Sequence, residues 1–170
     1  MEIPIIYSTI TGNAFKLAEA IKDEVRDAVG PYNIRWFDIV NVNLEEVDTL
    51  ILIYWCNRGT CDDDTIGFIK KLKNKKIVVL GTLGASMESK HAKDVYERVN
   101  DLVKENNILL GHYLCRGAID LNRTRKKLAL PESERGHLTL ERFERQKESL
   151  GHPNKEELDM AKAFIRSLNL

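Results

Sequence analysis

The sequence predicts an α/β fold, a parallel sheet with helices on both faces. Two observations carry this. Short apolar runs alternate five times with segments of helical period. Residues 49–55 (T-L-I-L-I-Y-W) are almost uninterrupted in β-branched, aliphatic and aromatic side chains, which a strand buried on both faces requires. Repeated βα units imply parallel pairing through right-handed crossovers, and such a sheet binds ligands beyond the carboxyl ends of its strands, near the switch in strand order.

The elements follow in order. Residues 3–7 form an apolar run broken only by Pro4, a first strand. From Asn13 the period becomes helical: Ala14, Leu17, Ala18, Ile21, Val25 and Ala28 share a face, and Gly30-Pro31 stops the helix. Residues 33–39 alternate as a second strand, and 49–55 make the third. A helix over 62–72 leads to a fourth strand at 76–80, ending in Gly81. Ala92, Val95, Val99, Leu102 and Val103 give residues 90–105 a helical face, and 108–119 contain a fifth strand. Residues 120–152 are polar and basic without a strand pattern, although Leu138, Leu140 and Phe143 can anchor a modest helix. Asn154, with Glu157 three positions on, reads as an N-cap and its capping acid. Leu158, Ala161, Phe164, Ile165 and Leu168 form the buried face of the closing helix.

Length and composition narrow the function. A chain of 170 residues, 43% hydrophobic, suits a single domain over 1–170 with a basic extension at about 120–153. Lys and Arg total 26, as do Asp and Glu, which argues against nucleic-acid and anionic-membrane binding. The longest apolar stretch, 50–56, is too short to span a bilayer, and Met1-Glu2 gives no basic start to a secretory signal. Three cysteines do not suggest a disulfide scaffold, so a cytoplasmic protein is expected. The zero net charge averages two unlike parts: residues 1–64 carry net −7 and the remainder net +7.

The richest segment is Ser8-Thr9-Ile10-Thr11-Gly12-Asn13-Ala14, between the first strand and the first helix. A helix N-terminus offers backbone N–H groups and partial positive charge. Gly12 lets the backbone turn closely, and Thr9, Thr11 and Asn13 can add side-chain hydrogen bonds, a nest for a phosphate that is bound but not transferred. Plain capping by Thr and Asn competes with that reading; the place of the loop after the first strand favours phosphate. It is neither a Walker loop nor a Gly-x-Gly-x-x-Gly fingerprint.

Thr9-Ile10-Thr11-Gly12-Asn13-Ala14 resembles the flavodoxin phosphate loop, Thr/Ser-x-Thr-Gly-Asn-Thr, departing from it at Ala14. The resemblance implies a flavodoxin-like three-layer sandwich, a five-stranded parallel sheet of order 2-1-3-4-5, and flavin mononucleotide (FMN) as cofactor. Trp55-Cys56-Asn57-Arg58-Gly59-Thr60-Cys61-Asp62 stands where that family holds one side of the isoalloxazine ring, and Gly81-Thr82-Leu83-Gly84-Ala85-Ser86-Met87 where it holds the other. Trp-x-x-Arg-Gly-Thr and Gly-Thr-Leu-Gly-Ala, with the closing Gly151-His152-Pro153 and Leu158-Asp159-Met160-Ala161, resemble a shorter, non-classical subgroup of that family more than its classical electron carriers. Trp55 is the expected ring platform. Arg58 supplies charge near the ring or lies in solvent, and Gly59 frees a peptide to face it. Gly81 and Gly84 imply close backbone approach to the ring, and Met87 replaces an aromatic, leaving one ring face more open. The cofactor set is therefore Thr9, Ile10, Thr11, Gly12, Asn13, Ala14, Trp55, Cys56, Asn57, Arg58, Gly59, Thr82, Leu83, Gly84 and Ala85.

The implied activity is electron transfer between a reductase or reduced carrier and a partner oxidoreductase, supporting reduction of a conjugated substrate such as bilirubin. Two alternatives stay open: an NAD(P)H-dependent FMN or quinone reductase acting directly on a small substrate, and a cofactor-free binding protein on the same fold. Other constellations say less. Cys56 and Cys61 have the wrong spacing for Cys-x-x-Cys and read as incidental or as a redox-sensitive pair. Asp62-Asp63-Asp64 complement a helix dipole rather than hold a metal, and the four histidines lack partners at zinc or dyad spacing. Eight cations against five acids in 121–150 are either a solvated helical surface or a lid near the flavin. The lid reading points to an acidic redox partner or an anionic small molecule.

Overall fold

The computed structural model describes residues 1–39 and 42–170. Five parallel strands form the sheet: β1 (Ile3–Tyr7), β2 (Ala28–Asn33), β3 (Thr49–Asn57), β5 (Lys76–Leu83) and β6 (Ile108–Arg116). Their order is β2-β1-β3-β5-β6, the expected 2-1-3-4-5 arrangement. A two-residue strand, β4 (Thr60–Cys61), pairs antiparallel with the end of β3. Helices α1 (Asn13–Ile21), α2 (Asp63–Lys71), α3 (Lys90–Lys104), α4 (Leu121–Leu128), α5 (Leu140–Lys147) and α6 (Lys155–Ser167) complete the chain.

Alternate side chains of the central strands feed two cores. Ile6, Leu52 and Val79 pack with Phe68 and Ile69 of α2 and Val95 and Val99 of α3. Ile5, Ile51, Ile53, Val78 and Leu80 pack with Leu17 and Ile21 of α1 and Ala161 and Ile165 of α6. That alternation explains the unbroken apolar run in β3, because each face meets a helix layer.

Several boundaries differ from the sequence reading. The first helix ends at Ile21 and passes through a 3-10 turn, Lys22–Glu24, so Val25 is extended and Ala28 opens β2. Gly30-Pro31 lies inside β2, and residues 34–39 form a second 3-10 turn in place of a strand. Pro31 is tolerated because β2 is an edge strand. The fourth strand runs on to Leu83. Leu138 and Phe143 are buried, whereas Leu140 is exposed, and α4 is a helix that apolar spacing alone does not reveal.

Caps fix the helix starts. Asp62, Ser89, Asp120, Thr139 and Asn154 each accept a backbone N–H at the starts of α2 to α6, and Asn154 with Glu157 makes the expected capping box. Asp63 and Asp64 occupy the first turn of α2, where the dipole favours them. No side chain caps α1.

Candidate functional site

The carboxyl ends of β1, β3, β5 and β6 converge on a cleft of about 250 Å³. The loop after β1 supplies Ile10, Thr11 and Asn13; the end of β3 supplies Trp55, Cys56 and Asn57. Thr82, Leu83 and Gly84 come from the end of β5. Residues 117–120 and Arg123, Thr124 and Lys127 of α4 form the remaining wall.

At the first wall, Gly12 is left-handed (φ 89°), a conformation that glycine adopts without side-chain strain. Its N–H donates to Thr9 Oγ1 at 3.0 Å. Because α1 is uncapped, the N–H groups of Asn13, Ala14 and Phe15 have no partner within the helix. They lie at the positive end of the helix dipole, where Asn13 lines the cleft. Asn13 is almost fully buried, and its side-chain amide donates to Ala118 O at 2.8 Å and to Thr11 Oγ1 at 3.1 Å. Its amide hydrogens therefore tie the loop to the segment after β6, which corrects the expectation that they are directed at a phosphate. Ala14 lies wholly in the core, so only its backbone faces the loop.

The second wall is a hairpin rather than a loop. Cys56 pairs with Cys61 and Asn57 with Thr60, leaving Arg58-Gly59 as a two-residue turn with positive φ at both positions. The Gly59 carbonyl accepts from Arg98 Nη1 of α3 at 2.9 Å, so this oxygen is engaged within the protein. Arg58 is exposed at the tip and does not line the cleft. Trp55 is half-buried beside Thr82, its register partner on β5.

At the third wall both glycines make room for protein side chains. A Cβ on Gly81 falls 2.3 Å from the Tyr54 ring, and one on Gly84 falls 2.5 Å from Ile119 Cγ1. Their smallness is thus explained without a ring. Ile119 packs across Gly84, so this side is partly covered rather than open as expected. Leu83 is buried and Ala85 packs against the core, while Met87 is exposed outside the cleft lining.

Sequence reasoning missed the fourth wall. Gly117 lies between Asn13 and Thr82, with a Cβ there 3.0 Å from Asn13 Nδ2 and 3.1 Å from Thr82 Cβ. Ala118 N donates to His152 O at 2.8 Å and Ile119 N to Ser149 Oγ at 2.9 Å, so residues 149–152 anchor it. The available signal was the surplus of cations in 121–150, which gave charge without position.

Burial governs the titrating groups nearby. Desolvation pushes the Cys56 thiol up to about 11 and the Cys61 thiol up to about 12. Both are poor nucleophiles at neutral pH. Among the described residues, no group of three or more His, Cys, Asp or Glu could hold a metal ion, and no helix is long and apolar enough to cross a membrane.

Comparison with known proteins agrees with this architecture. The chain is 26% identical over 170 residues to a flavodoxin-like domain-containing protein, BilS, of Clostridioides difficile, covering 99% of this chain and 96% of that one. Oxidised flavodoxin 1 of Bacillus cereus superposes with a TM-score of 0.60 at 15% identity, over 99% of this chain and 97% of the other. The FMN-bound flavodoxin of Fusobacterium nucleatum gives 0.54 at 16% identity, over 98% and 93%. The profile of the flavodoxin domain matches residues 4–166, and the chain therefore belongs to the flavodoxin-domain family.

Proposed function

We propose that the cleft holds FMN and that the protein passes electrons between a reductase or reduced carrier and a partner oxidoreductase. The observation that carries this reading is the uncapped N-terminus of α1 opening into the same cleft as the half-buried Trp55. Backbone N–H groups at residues 13–15, with the Thr9 and Thr11 hydroxyls, suit a phosphate; Trp55, Asn57, Thr82 and the backbone of 83–84 suit a flat ring. Bound flavin supplies the redox chemistry, and the chain supplies binding, orientation and electrostatics. Asn13 holds the first loop against Ala118, Arg98 fixes the Gly59 peptide, and Ile119 packs against Gly84. The similarity to a flavodoxin-like protein and to an FMN-bound flavodoxin supports the cofactor. A conjugated molecule such as bilirubin, implied by the sequence resemblance, is the substrate whose reduction these electrons support.

Titrating FMN into the purified protein, or reading its visible spectrum as isolated, tests the cofactor. A flavin band perturbed by binding is expected; a colourless protein that takes up no FMN rejects the reading in favour of a cofactor-free binding protein. The 81–87 segment carries no aromatic to cover the ring beyond what Ile119 covers, which favours a second reading, direct reduction by NAD(P)H and turnover of a small substrate at the cleft. Stopped-flow mixing of the FMN-loaded protein with NAD(P)H separates the two, and no reduction at a useful rate rejects the second.

A further inference from the structure

We propose that Arg123 and Lys127 of α4 form an anion-recognition edge of the cleft, selecting a small organic carboxylate with a flat apolar body. This deepens the flavin-cleft reading and rests on it. The two cations are four residues apart, so they share one side of α4, and both line the cleft. Thr124, between them in sequence, is buried against the same wall.

Both cations are available. Neither side chain forms a hydrogen bond or an ion pair with another described residue. Three other cations are paired, Arg145 with Glu141, Lys147 with Glu144 and Arg116 with Glu148, while Arg125 and Lys126 of the same helix lie outside the cleft lining. Asp120 is the one carboxylate among the residues lining the cleft, and it is spent on the N–H groups of Asn122 and Arg123 as the α4 cap. The lining therefore carries two cations against one carboxylate, a net positive charge.

The position is held rather than left to a loose tail. Leu138 N donates to Lys127 O at 3.1 Å, tying the end of α4 to the segment before α5. Ile119 N, just before the Asp120 cap, donates to Ser149 Oγ at 2.9 Å.

The shape of the ligand follows from the rest of the lining. Ile10 and Ile119 give an aliphatic surface outside the groups assigned to the ring, so the cleft offers apolar area at one part and two cations at another. An arginine fork matches a carboxylate bidentately, and a lysine adds a point charge. On the flavin reading the phosphate does not need these cations, because the uncapped α1 N-terminus offers it backbone N–H groups.

The test compares naphthoate with its uncharged isostere, naphthamide, on the FMN-loaded protein, read by perturbation of the flavin spectrum. Naphthoate is expected to bind about tenfold more tightly, as one charge-assisted contact provides. The double variant R123Q/K127Q should abolish this preference, while R125Q/K126Q, which removes equal charge from positions outside the cleft lining, should retain it. R123Q/K127Q should also keep the wild-type ratio of FMN to riboflavin affinity. Equal binding of the two probes overturns the proposal, as does a preference that survives R123Q/K127Q or one lost in R125Q/K126Q. Loss of the FMN-over-riboflavin ratio in R123Q/K127Q also overturns it, by assigning the cations to the flavin phosphate. If the wild type takes up no FMN, the flavin reading fails separately, and the same comparison followed by tryptophan fluorescence still decides this one.

Discussion

The side-chain amide of Asn13 donates to the Ala118 carbonyl at 2.8 Å, joining the first loop of the sheet to the segment after its last strand across 105 positions of sequence. One bond thus sets the separation of two cleft walls. Asn13→Ala leaves a part-buried carbonyl without its partner and should cost about 1–3 kcal/mol in urea unfolding. It should also weaken FMN by loosening both walls. Thr11 is exposed, so Thr11→Val should lower stability by less than about 1 kcal/mol yet still weaken FMN several-fold. Unchanged FMN affinity in Thr11→Val would remove this loop from the phosphate site.

Gly84 and Ile119 form a second coupled pair. A methyl group at Gly84 meets Ile119 Cγ1 at 2.5 Å, within a β-branched side chain that has little room to swing. Gly84→Ala should destabilise by about 1–3 kcal/mol through overpacking. Ile119→Ala removes the clashing atoms, so Gly84→Ala should cost less in that background. A double-mutant cycle measures the difference, and strictly additive effects would mean that Ile119 moves aside freely.

Much of this molecule was legible in its sequence, and the misses share a physical origin. Strands β1, β3 and β5 announce themselves because burial on both faces leaves continuous apolar runs. β2 does not, because an edge strand carrying Gly30-Pro31 has neither the run nor the alternation, and Val25 and Ala28 continue a helical spacing by coincidence. At the site, Gly12 and Trp55 were readable from type and position. Asn13 lines the cleft, but its amide bonds to Ala118, which nothing local in the sequence indicates. The hairpin at Arg58-Gly59 carried a turn signal that the loop reading absorbed. α4 lacked an apolar face long enough to detect, so the wall it builds emerged only from packing.

Cys56 and Cys61 stand directly opposite each other on β3 and β4, close neighbours across the hairpin. Their burial argues for low reactivity rather than redox readiness. With the Cys56 thiol raised from 9.0 to about 11, its alkylation at pH 8 should run roughly a hundredfold slower than that of a free cysteine. Cys61, raised to about 12, should be slower still. Timed labelling with iodoacetamide and mass spectrometry reads both; rapid modification of the folded protein would show that the hairpin opens.

The Tyr54 hydroxyl donates to His112 Nε2 at 3.0 Å, and His112 Nδ1 donates to Asn100 Oδ1 at 2.8 Å, while Tyr96 stacks on the imidazole. This network lies between β3, β6 and α3, and burial pushes His112 down from 6.5 to about 3, so the ring is neutral when folded. The unfolded chain takes up a proton below about pH 6.5 that the folded protein refuses. The contribution of His112 to stability is therefore full above that pH and is lost progressively as the pH falls toward 3. Within that window His112 should add a slope of up to about 1.4 kcal/mol per pH unit, one proton's worth. His112→Gln keeps a polar partner for Tyr54 but cannot titrate, so its stability should depend less steeply on pH. Urea unfolding of both proteins between pH 4 and 7 measures this, and parallel curves would mean that His112 takes up its proton as readily in the folded state as in the unfolded chain.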